Sequence, residues 1–156
     1  MKSQYEKKRL ITFDRIKIKS NYKYLLNTKV KFNEMFHSRS GEKIGIFYSS
    51  KDDINIPYNL YIAVSYIKQT LTLEFSSKIL KEKYPDLISR DTIKECLTNI
   101  NQLHICDIDV DSILSNGAIT SVDVTYDANL ILSDNLLNIL NSQVTNYRRF
   151  KWAHYD

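Results

Sequence analysis

Glycine, proline and cysteine are all scarce in this chain, whose 156 residues include only 3 Gly, 2 Pro and 2 Cys. With so few glycines, the sequence contains no Gly-rich loop of the kind that cradles phosphates in nucleotide-binding proteins. Neither Cys96 nor Cys106 has a second Cys or a His at metal-finger spacing, which argues against a zinc finger and a disulfide scaffold. We expect both to be free thiols in a reducing compartment, with Cys96 packed as a small hydrophobic residue.

Long apolar runs and targeting signals are missing as well. No stretch approaches the roughly 20 apolar residues that a membrane-spanning helix needs. The basic start, MKSQYEKKR, lacks the apolar segment and cleavage site of a signal peptide. The sequence therefore predicts a soluble, cytoplasmic protein with no membrane partner, and its length is that of one domain with a hydrophobic core.

Positive charge is concentrated at the beginning of the chain. The net charge is only +4, yet residues 1–50 hold 12 Lys and Arg against 4 Asp and Glu, and the remaining residues hold 10 against 14. Such asymmetry indicates an acidic partner, either nucleic acid or an acidic protein surface, although a merely solvated face remains an alternative. The candidate phosphate contacts are Arg15, Lys17, Lys19, Lys23, Lys29 and Lys31, with Arg148, Arg149 and Lys151 near the other end.

Alternating apolar and polar residues predict an antiparallel β-meander in the first half of the chain. Strands are expected over residues 10–20, 29–32, 43–50, 58–67 and 70–77, with a turn at residues 37–43. In the first of them, Arg15, Lys17 and Lys19 share one face. Three aromatic side chains near the cations fit base stacking and the edge of a core equally well: Tyr22, Tyr24 and Phe32.

Helical periodicity is confined to the second half. A helix is predicted over residues 91–103, capped by Asp91, and a second one after Ser133 or Asp134, with Leu136, Leu137, Leu140 and Val144 on its buried stripe. Residues 1–9 are expected to form a basic tail and residues 147–156 a last strand or arm. The predicted architecture is a single α+β domain over residues 1–156, with a largely antiparallel β-sheet and two main helices packed on one face.

A strand predicted over residues 119–130, ITSVDVTYDANL, has a polar face on which Asp123 and Asp127 lie two pleats apart. The two carboxylates suit one Mg²⁺ or Mn²⁺ ion or one basic partner, while simple solvation or pairing with Lys or Arg is the alternative. Three more carboxylates precede this strand and would share one face if their segment were also a strand: Asp107, Asp109 and Asp111. They do not fit a calcium-binding EF-hand loop, because the Gly and Glu that it requires are absent.

Two motifs carry a resemblance to a known family. LTLEFSSKIL (71–80), followed some forty residues later by ITSVDVTYDANL, resembles the amino-terminal part of rolling-circle replication initiators of the filamentous-phage and small-plasmid type. The resemblance implies an antiparallel sheet that holds a divalent metal, with Glu74 and Asp123 at the acidic positions and Lys78 at the basic one. The family's histidine pair is incomplete here, because Cys106 stands where the second histidine belongs, and its tyrosine-bearing half has no counterpart.

Three functions follow as predictions. The first is a non-catalytic module of a phage or mobile element that binds RNA, single-stranded DNA or a nucleoprotein, with Glu74, Asp123 and Asp127 as an optional Mg²⁺ or Mn²⁺ site. The second is an anti-CRISPR type inhibitor that binds an RNA-guided nuclease or its guide RNA. The third is a metal-dependent DNA nickase that uses Asp107, Asp109 and Asp123 with a tyrosine such as Tyr126 or Tyr155.

Overall fold

Two β-sheets and two short α-helices make up the part of the chain that the computed structural model describes, which is residues 11–124 together with residues 138 and 139. The first range lies within a compact unit that spans residues 1–125. The strands are β1 Phe13–Asn21, β2 Leu25–Thr28, β3 Asn33–Phe36, β4 Lys43–Ser49, β5 Leu60–Ser65, β6 Thr70–Ser76, β7 Cys106–Ile108 and β8 Ala118–Val124. The helices are α1 Ile93–Gln102 and α2 Val110–Asn116, and 3-10 helices cover Tyr22–Tyr24, Ser50–Asp52 and Ser77–Asp86.

The main sheet has six strands in the order β3-β4-β5-β6-β1-β8, and every pairing in it is antiparallel. Strands β3 to β6 follow one another as a meander, whereas β1 pairs with β6 on one side and with β8 on the other. A separate two-stranded sheet joins β2 to β7. The predicted α+β class with a largely antiparallel sheet is confirmed.

The hydrophobic core lies on one face of the main sheet because apolar residues occupy every second position of its central strands. In β6, Leu71, Leu73 and Phe75 are fully buried, and their neighbours between them are only half-buried. Helix α1 adds its own apolar stripe, which includes Leu97 and Ile100, to the same hydrophobic cluster. The period of two in the strands and of 3.6 in the helix thus bring the two apolar surfaces together.

The connection between β1 and β4 differs from the prediction. Residues 29–32 do not form a strand, and the preceding LLNT segment forms β2 instead. The backbone N–H groups of Lys29 and Val30 both donate to the carbonyl oxygen of Ile105, so the chain turns away from a regular ladder there. Phe32 is buried against Tyr48, with ring centroids 5.8 Å apart, and is therefore a core residue.

One conditional interpretation does not apply, and one local prediction is wrong. The segment with Asp107, Asp109 and Asp111 is not a continuous strand, because β7 ends at Ile108 and α2 begins two residues later. Helix α1 is not capped by Asp91: its N-cap is Thr92, whose hydroxyl instead donates to a backbone carbonyl in the preceding turn. Both differences arise where a short polar side chain satisfies the backbone at a chain reversal.

Several predicted features lie outside the described residues. They are the tail at residues 1–9, the arm at residues 147–156, Tyr126, Asp127, Arg148, Arg149, Lys151, Tyr155 and most of the predicted second helix. Of that helix only Asn138 and Ile139 are described, and both are helical. Among the described residues, no helix has the length and apolar character that a membrane crossing requires.

Gly45 is the position where a larger residue should most disturb the sheet. A Cβ there would overlap the carbonyl oxygen of Val64 on the neighbouring strand and lie 2.6 Å from the Met35 methyl group. We expect Gly45→Ala to lower the free energy of unfolding by about 1–3 kcal/mol, the usual cost of overpacking, as measured by urea denaturation. Gly41→Asn is the control, because Gly41 has a φ of +69° in open space and Asn tolerates that conformation. Equal stability losses in the two variants would contradict the prediction.

Candidate nucleic-acid interface

The face of the main sheet opposite the core carries the charged and aromatic side chains of the candidate site. Strand register places Lys17 of β1 beside Glu74 of β6, and Glu74 in turn beside Tyr61 of β5. We call this surface the outer face. Its residues are Arg15, Lys17, Lys19, Phe47, Tyr61, Ala63, Thr72, Glu74, Ser121 and Asp123. The alternation that buries Ile16 and Ile18 of β1 in the core necessarily directs its three cations to this side.

Four charged residues on three adjacent strands form an ion-pair network at the centre of the outer face. Arg15 Nε lies 2.9 Å from Asp123 Oδ2, and Arg15 Nη1 lies 3.5 Å from Glu74 Oε1. Lys17 Nζ lies 2.8 Å from Glu74 Oε2. Asn59 completes the surroundings by donating its side-chain N–H to Glu74 Oε1 at 3.4 Å. Two positive and two negative charges therefore balance one another here.

Glu74 is the most sheltered member of the network, with 18% of its side chain exposed against 46% for Arg15. Burial by itself would raise the pKa of this carboxyl group. The hydrogen bond and charge of Lys17, together with the charge of Arg15, outweigh burial and hold the pKa of Glu74 below its ordinary value. Glu74 therefore carries a negative charge at neutral pH and holds both cations in place.

The predicted metal ligands lie within the same network. Glu74 and Asp123 both contact Arg15 and line a cleft of about 40 Å³, which has room for little more than a water molecule. Among the described residues, no group of three or more acidic, His or Cys side chains is arranged to hold a metal ion. The third predicted ligand, Asp127, lies outside the described residues, so the Mg²⁺ or Mn²⁺ site stays a prediction.

Lys19 and an aromatic pair occupy the part of the outer face next to the network. Within the described part of the chain, Lys19 makes no ion pair, unlike its neighbour Lys17. The rings of Phe47 and Tyr61, both half-buried, lie with centroids 6.1 Å apart and planes tilted by 33°. Since strands are about 4.8 Å apart, two strand spacings separate Tyr61 from Lys17, or about 10 Å.

The other described cations of the predicted set do not join this surface. Lys29 lies beside the two-stranded sheet, where its Nζ is 2.6 Å from Asp107 Oδ1. Lys23 belongs to the 3-10 helix after β1, and Lys31 lies between β2 and β3; both are exposed. The structure thus brings together three of the six described cations, and two of those three are neutralised by carboxylates.

Phe47 and Tyr61 were not predicted as site residues. Tyr22, Tyr24 and Phe32 were considered for base stacking, yet all three belong to the core or pack against it. The alternation of the strand could have identified Tyr61. In LYIAVS it alternates with Leu60, Ile62 and Val64, which face the core, so its ring faces outward. Because both faces of that strand are largely apolar, the sequence reads as a fully buried strand and conceals the outward aromatic ring.

The three aspartates before β8 have separate structural partners. Asp107 pairs with Lys29, and Asp111 lies 2.9 Å from Lys94 on α1. Asp109 caps α2, accepting hydrogen bonds from the backbone N–H of Ser112 at 3.0 Å and from its hydroxyl at 2.7 Å. These bonds lower the pKa of Asp109. Each carboxylate is thus engaged elsewhere.

The two thiols are also accounted for by packing. Cys96 and Cys106 are free and completely buried. Burial raises the pKa of each thiol to about 12, so both remain protonated at neutral pH and are poor nucleophiles or metal ligands.

Of the positions named by the family resemblance, Glu74 and Asp123 come together through Arg15, and Lys78 is an exposed residue of the 3-10 helix after β6. No family model matches the chain, and its comparison with curated proteins and with solved structures returned no match. The relation to replication initiators therefore stays a prediction.

Removing the cap of α2 should destabilise the protein without involving any ligand. We expect Asp109→Ala to lower the free energy of unfolding, because two hydrogen bonds to the first turn are lost. Asp111→Ala, two residues later, removes the same charge from the first turn of α2 together with an exposed ion pair, so it should lower stability clearly less than Asp109→Ala does. Urea denaturation of both variants tests this, and equal losses would argue against a capping role.

Glu74 should make stability depend on pH in the acidic range. Because its native pKa lies below the ordinary 4.5, its ionised form stabilises the native state above that value, and this contribution is lost as the pH falls through the native pKa. The difference in unfolding free energy between wild type and Glu74→Gln should therefore be largest near neutral pH and shrink as the pH falls below 4.5 and through the lowered native pKa. A difference that does not change with pH would contradict the assignment.

Proposed function

We propose that this chain is a nucleic-acid-binding module that holds a strand of RNA or DNA on the outer face. The observation that carries the proposal is that the Phe47–Tyr61 pair lies on the same sheet face as Lys19, a cation without an ion pair in the described part of the chain. Aromatic rings that stack bases beside cations that contact phosphates are the usual means of binding unpaired nucleotides on a β-sheet.

The dimensions support this arrangement. Two strand spacings separate Tyr61 from β1 and three separate Phe47 from it, so the stacking rings lie about 10 Å and about 14 Å from the strand that carries the cations. Bases on the rings and phosphates near Lys19 would then cross the strands of the sheet. Thr72 lies directly between Lys19 and Ala63 and offers a hydroxyl group to the same ligand.

The excess of cations in the first third of the chain favours the same partner. It provides a long-range attraction for polyanions even where individual lysines lie off the outer face, as Lys23 and Lys31 do. Binding of this kind weakens with added salt in proportion to the phosphates neutralised and shows little sequence preference. We propose no catalytic step.

A second candidate is the inhibitor that binds an RNA-guided nuclease. It is favoured by exposed apolar residues at one end of the sheet, where Phe36 and Ile67 are 55% and 68% exposed. Phe36 pairs with Lys43, the first residue of β4. The β5–β6 turn that contains Ile67 lies next to it, because the backbone N–H of Tyr66 in that turn donates to the carbonyl oxygen of Ile44. Protein contact there would add to nucleic-acid contact on the outer face. Binding to a purified nuclease with its guide, without binding to free RNA, would favour this candidate.

Substitutions on the outer face test the proposal. We expect Tyr61→Leu and Phe47→Leu each to weaken binding of a fluorescent single-stranded oligonucleotide by at least about fivefold, because base stacking on one ring contributes about 1–3 kcal/mol. Leucine keeps the apolar packing of the strand but cannot stack. Lys19→Gln should weaken binding and reduce the slope of log affinity against log salt by about 0.7, the value for one phosphate contact with a single strand. Fluorescence anisotropy over a salt series measures both effects.

Two control variants on the opposite layer match these changes. Tyr84 is exposed in the 3-10 helix after β6, and Arg90 is exposed in the turn before α1. Tyr84→Leu and Arg90→Gln should leave affinity nearly unchanged. If the controls weaken binding as much as the outer-face variants do, the outer face is not the site, and if the wild type binds neither RNA nor DNA at low salt, the proposed function is wrong.

A further inference from the structure

The ion-pair network on the outer face bears on which nucleic acid the site accepts. Its centre is electrically balanced, since Arg15 is held by Asp123 and Glu74, and Lys17 by Glu74. A phosphate that approaches either cation must compete with a carboxylate already within 2.9 Å of it. The most central cations of the face are therefore poorly available to a polyanion.

We propose that Glu74 and Asp123 are specificity-determining residues that make the outer face select unpaired strands over duplexes; this inference rests on the proposed nucleic-acid-binding function. Their carboxylates neutralise Arg15 and Lys17 and repel phosphates. Binding then depends more on base stacking than on phosphate contact, and this favours an unpaired strand over a duplex.

A duplex offers this surface little except phosphates. Its bases are stacked on one another inside the helix and cannot lie on Phe47 or Tyr61, so its affinity depends on cations that contact the backbone. On the described outer face those cations are Lys19 and the two that the carboxylates already hold. A duplex therefore meets repulsion from Glu74 and Asp123 without any compensating stacking.

An unpaired strand meets the same carboxylates but gains contacts that a duplex cannot make. Its bases stack on the aromatic pair, a contribution that does not depend on Arg15 or Lys17. It also bends freely, so its phosphates can follow Lys19 and avoid the acidic side chains. The two carboxylates thus cost a single strand less than they cost a duplex.

The positions of the two acidic residues support a selective role. Glu74 lies between Tyr61 and Lys17 in one cross-strand row, at the border between the aromatic and the cationic parts of the face. Asp123 lies on β8, directly across from Arg15. Arg15 and Lys17 each have a carboxylate beside them. Lys19, farther along β1, instead lies beside the uncharged Thr72 of β6.

Neutralising the carboxylates tests the inference. Anisotropy titrations would compare a single-stranded RNA, a single-stranded DNA and a duplex DNA of the same length with wild type, Glu74→Gln and Asp123→Asn. We expect the wild type to favour both single strands, and each variant to raise duplex affinity several-fold while changing single-strand affinity less. The salt slope for the duplex should steepen by about 0.9 for each cation released.

The control variant is Glu82→Gln, which removes one negative charge from an exposed position in the 3-10 helix after β6. It should not change the ratio of duplex to single-strand affinity. Thermal unfolding of all variants identifies any that fail to fold, and Asp123→Asn, on an exposed strand, provides a second test if Glu74→Gln does so.

The outcomes distinguish a failure of the selective role of the carboxylates from a failure of nucleic-acid binding itself. Unchanged duplex affinity in both carboxylate variants, or an equal rise with Glu82→Gln, would overturn the selective role while leaving single-strand binding by the outer face intact. A wild type that prefers duplex DNA would overturn it as well. If no nucleic acid binds the wild type, the proposed function fails and the inference falls with it.

Discussion

The pairing of β1 with β6 is the constraint on which the rest of the structure depends. Seven consecutive residue pairs join Arg15–Asn21 to Thr70–Ser76, although all of residues 22–69 lie between the two strands in the chain. This pairing inserts a strand from the beginning of the chain between the end of the meander and β8. It also sets the register in which Ile16 and Ile18 enter the core while Arg15 and Lys17 meet the carboxylate of Glu74. A shift of the strand register by one residue would move the isoleucines to the outer face and the cations into the core. The same register therefore specifies both the core and the candidate site.

The same register explains why a surface rich in cations carries so little free charge at its centre. Glu74 is the single carboxylate of β6 and lies where it reaches both Arg15 and Lys17, and β8 adds Asp123 on the other side. Exposed ion pairs contribute little to stability individually. Their effect on the surface potential is larger, because every paired cation is one fewer for a polyanion. A count of lysines along the sequence therefore overstates the attraction that this face exerts on phosphate.

The fold could be predicted from the sequence where the apolar residues follow a clear helical or strand period. The candidate site could be predicted only where its residues belong to one strand. The strands at β1, β4, β5 and β6 and the helix α1 follow from alternation and from the stripe of apolar residues. The common face of Arg15, Lys17 and Lys19 follows from the same rule. The pairing of charges between strands cannot be derived from alternation, because the carboxylates that meet Arg15 are more than fifty residues away in the chain. Phe47 and Tyr61 remained hidden for a related reason: a ring facing outward and a ring facing the core look alike in a strand with two apolar faces.

Local polar chemistry was the other source of error, and it bears on how acidic clusters should be interpreted. Asp107, Asp109 and Asp111 resemble a ligand set in the sequence, yet one pairs with a lysine beside the small sheet, one caps a helix and one pairs with α1. The change from strand to helix within five residues separates side chains that an extended chain would align. Glu74 and Asp123 show the opposite case, since they are distant in sequence but meet at Arg15. Glu74 and Asp123 are thus grouped by a cation of the strand that lies between theirs, and their chemistry is that of charge neutralisation on a sheet surface.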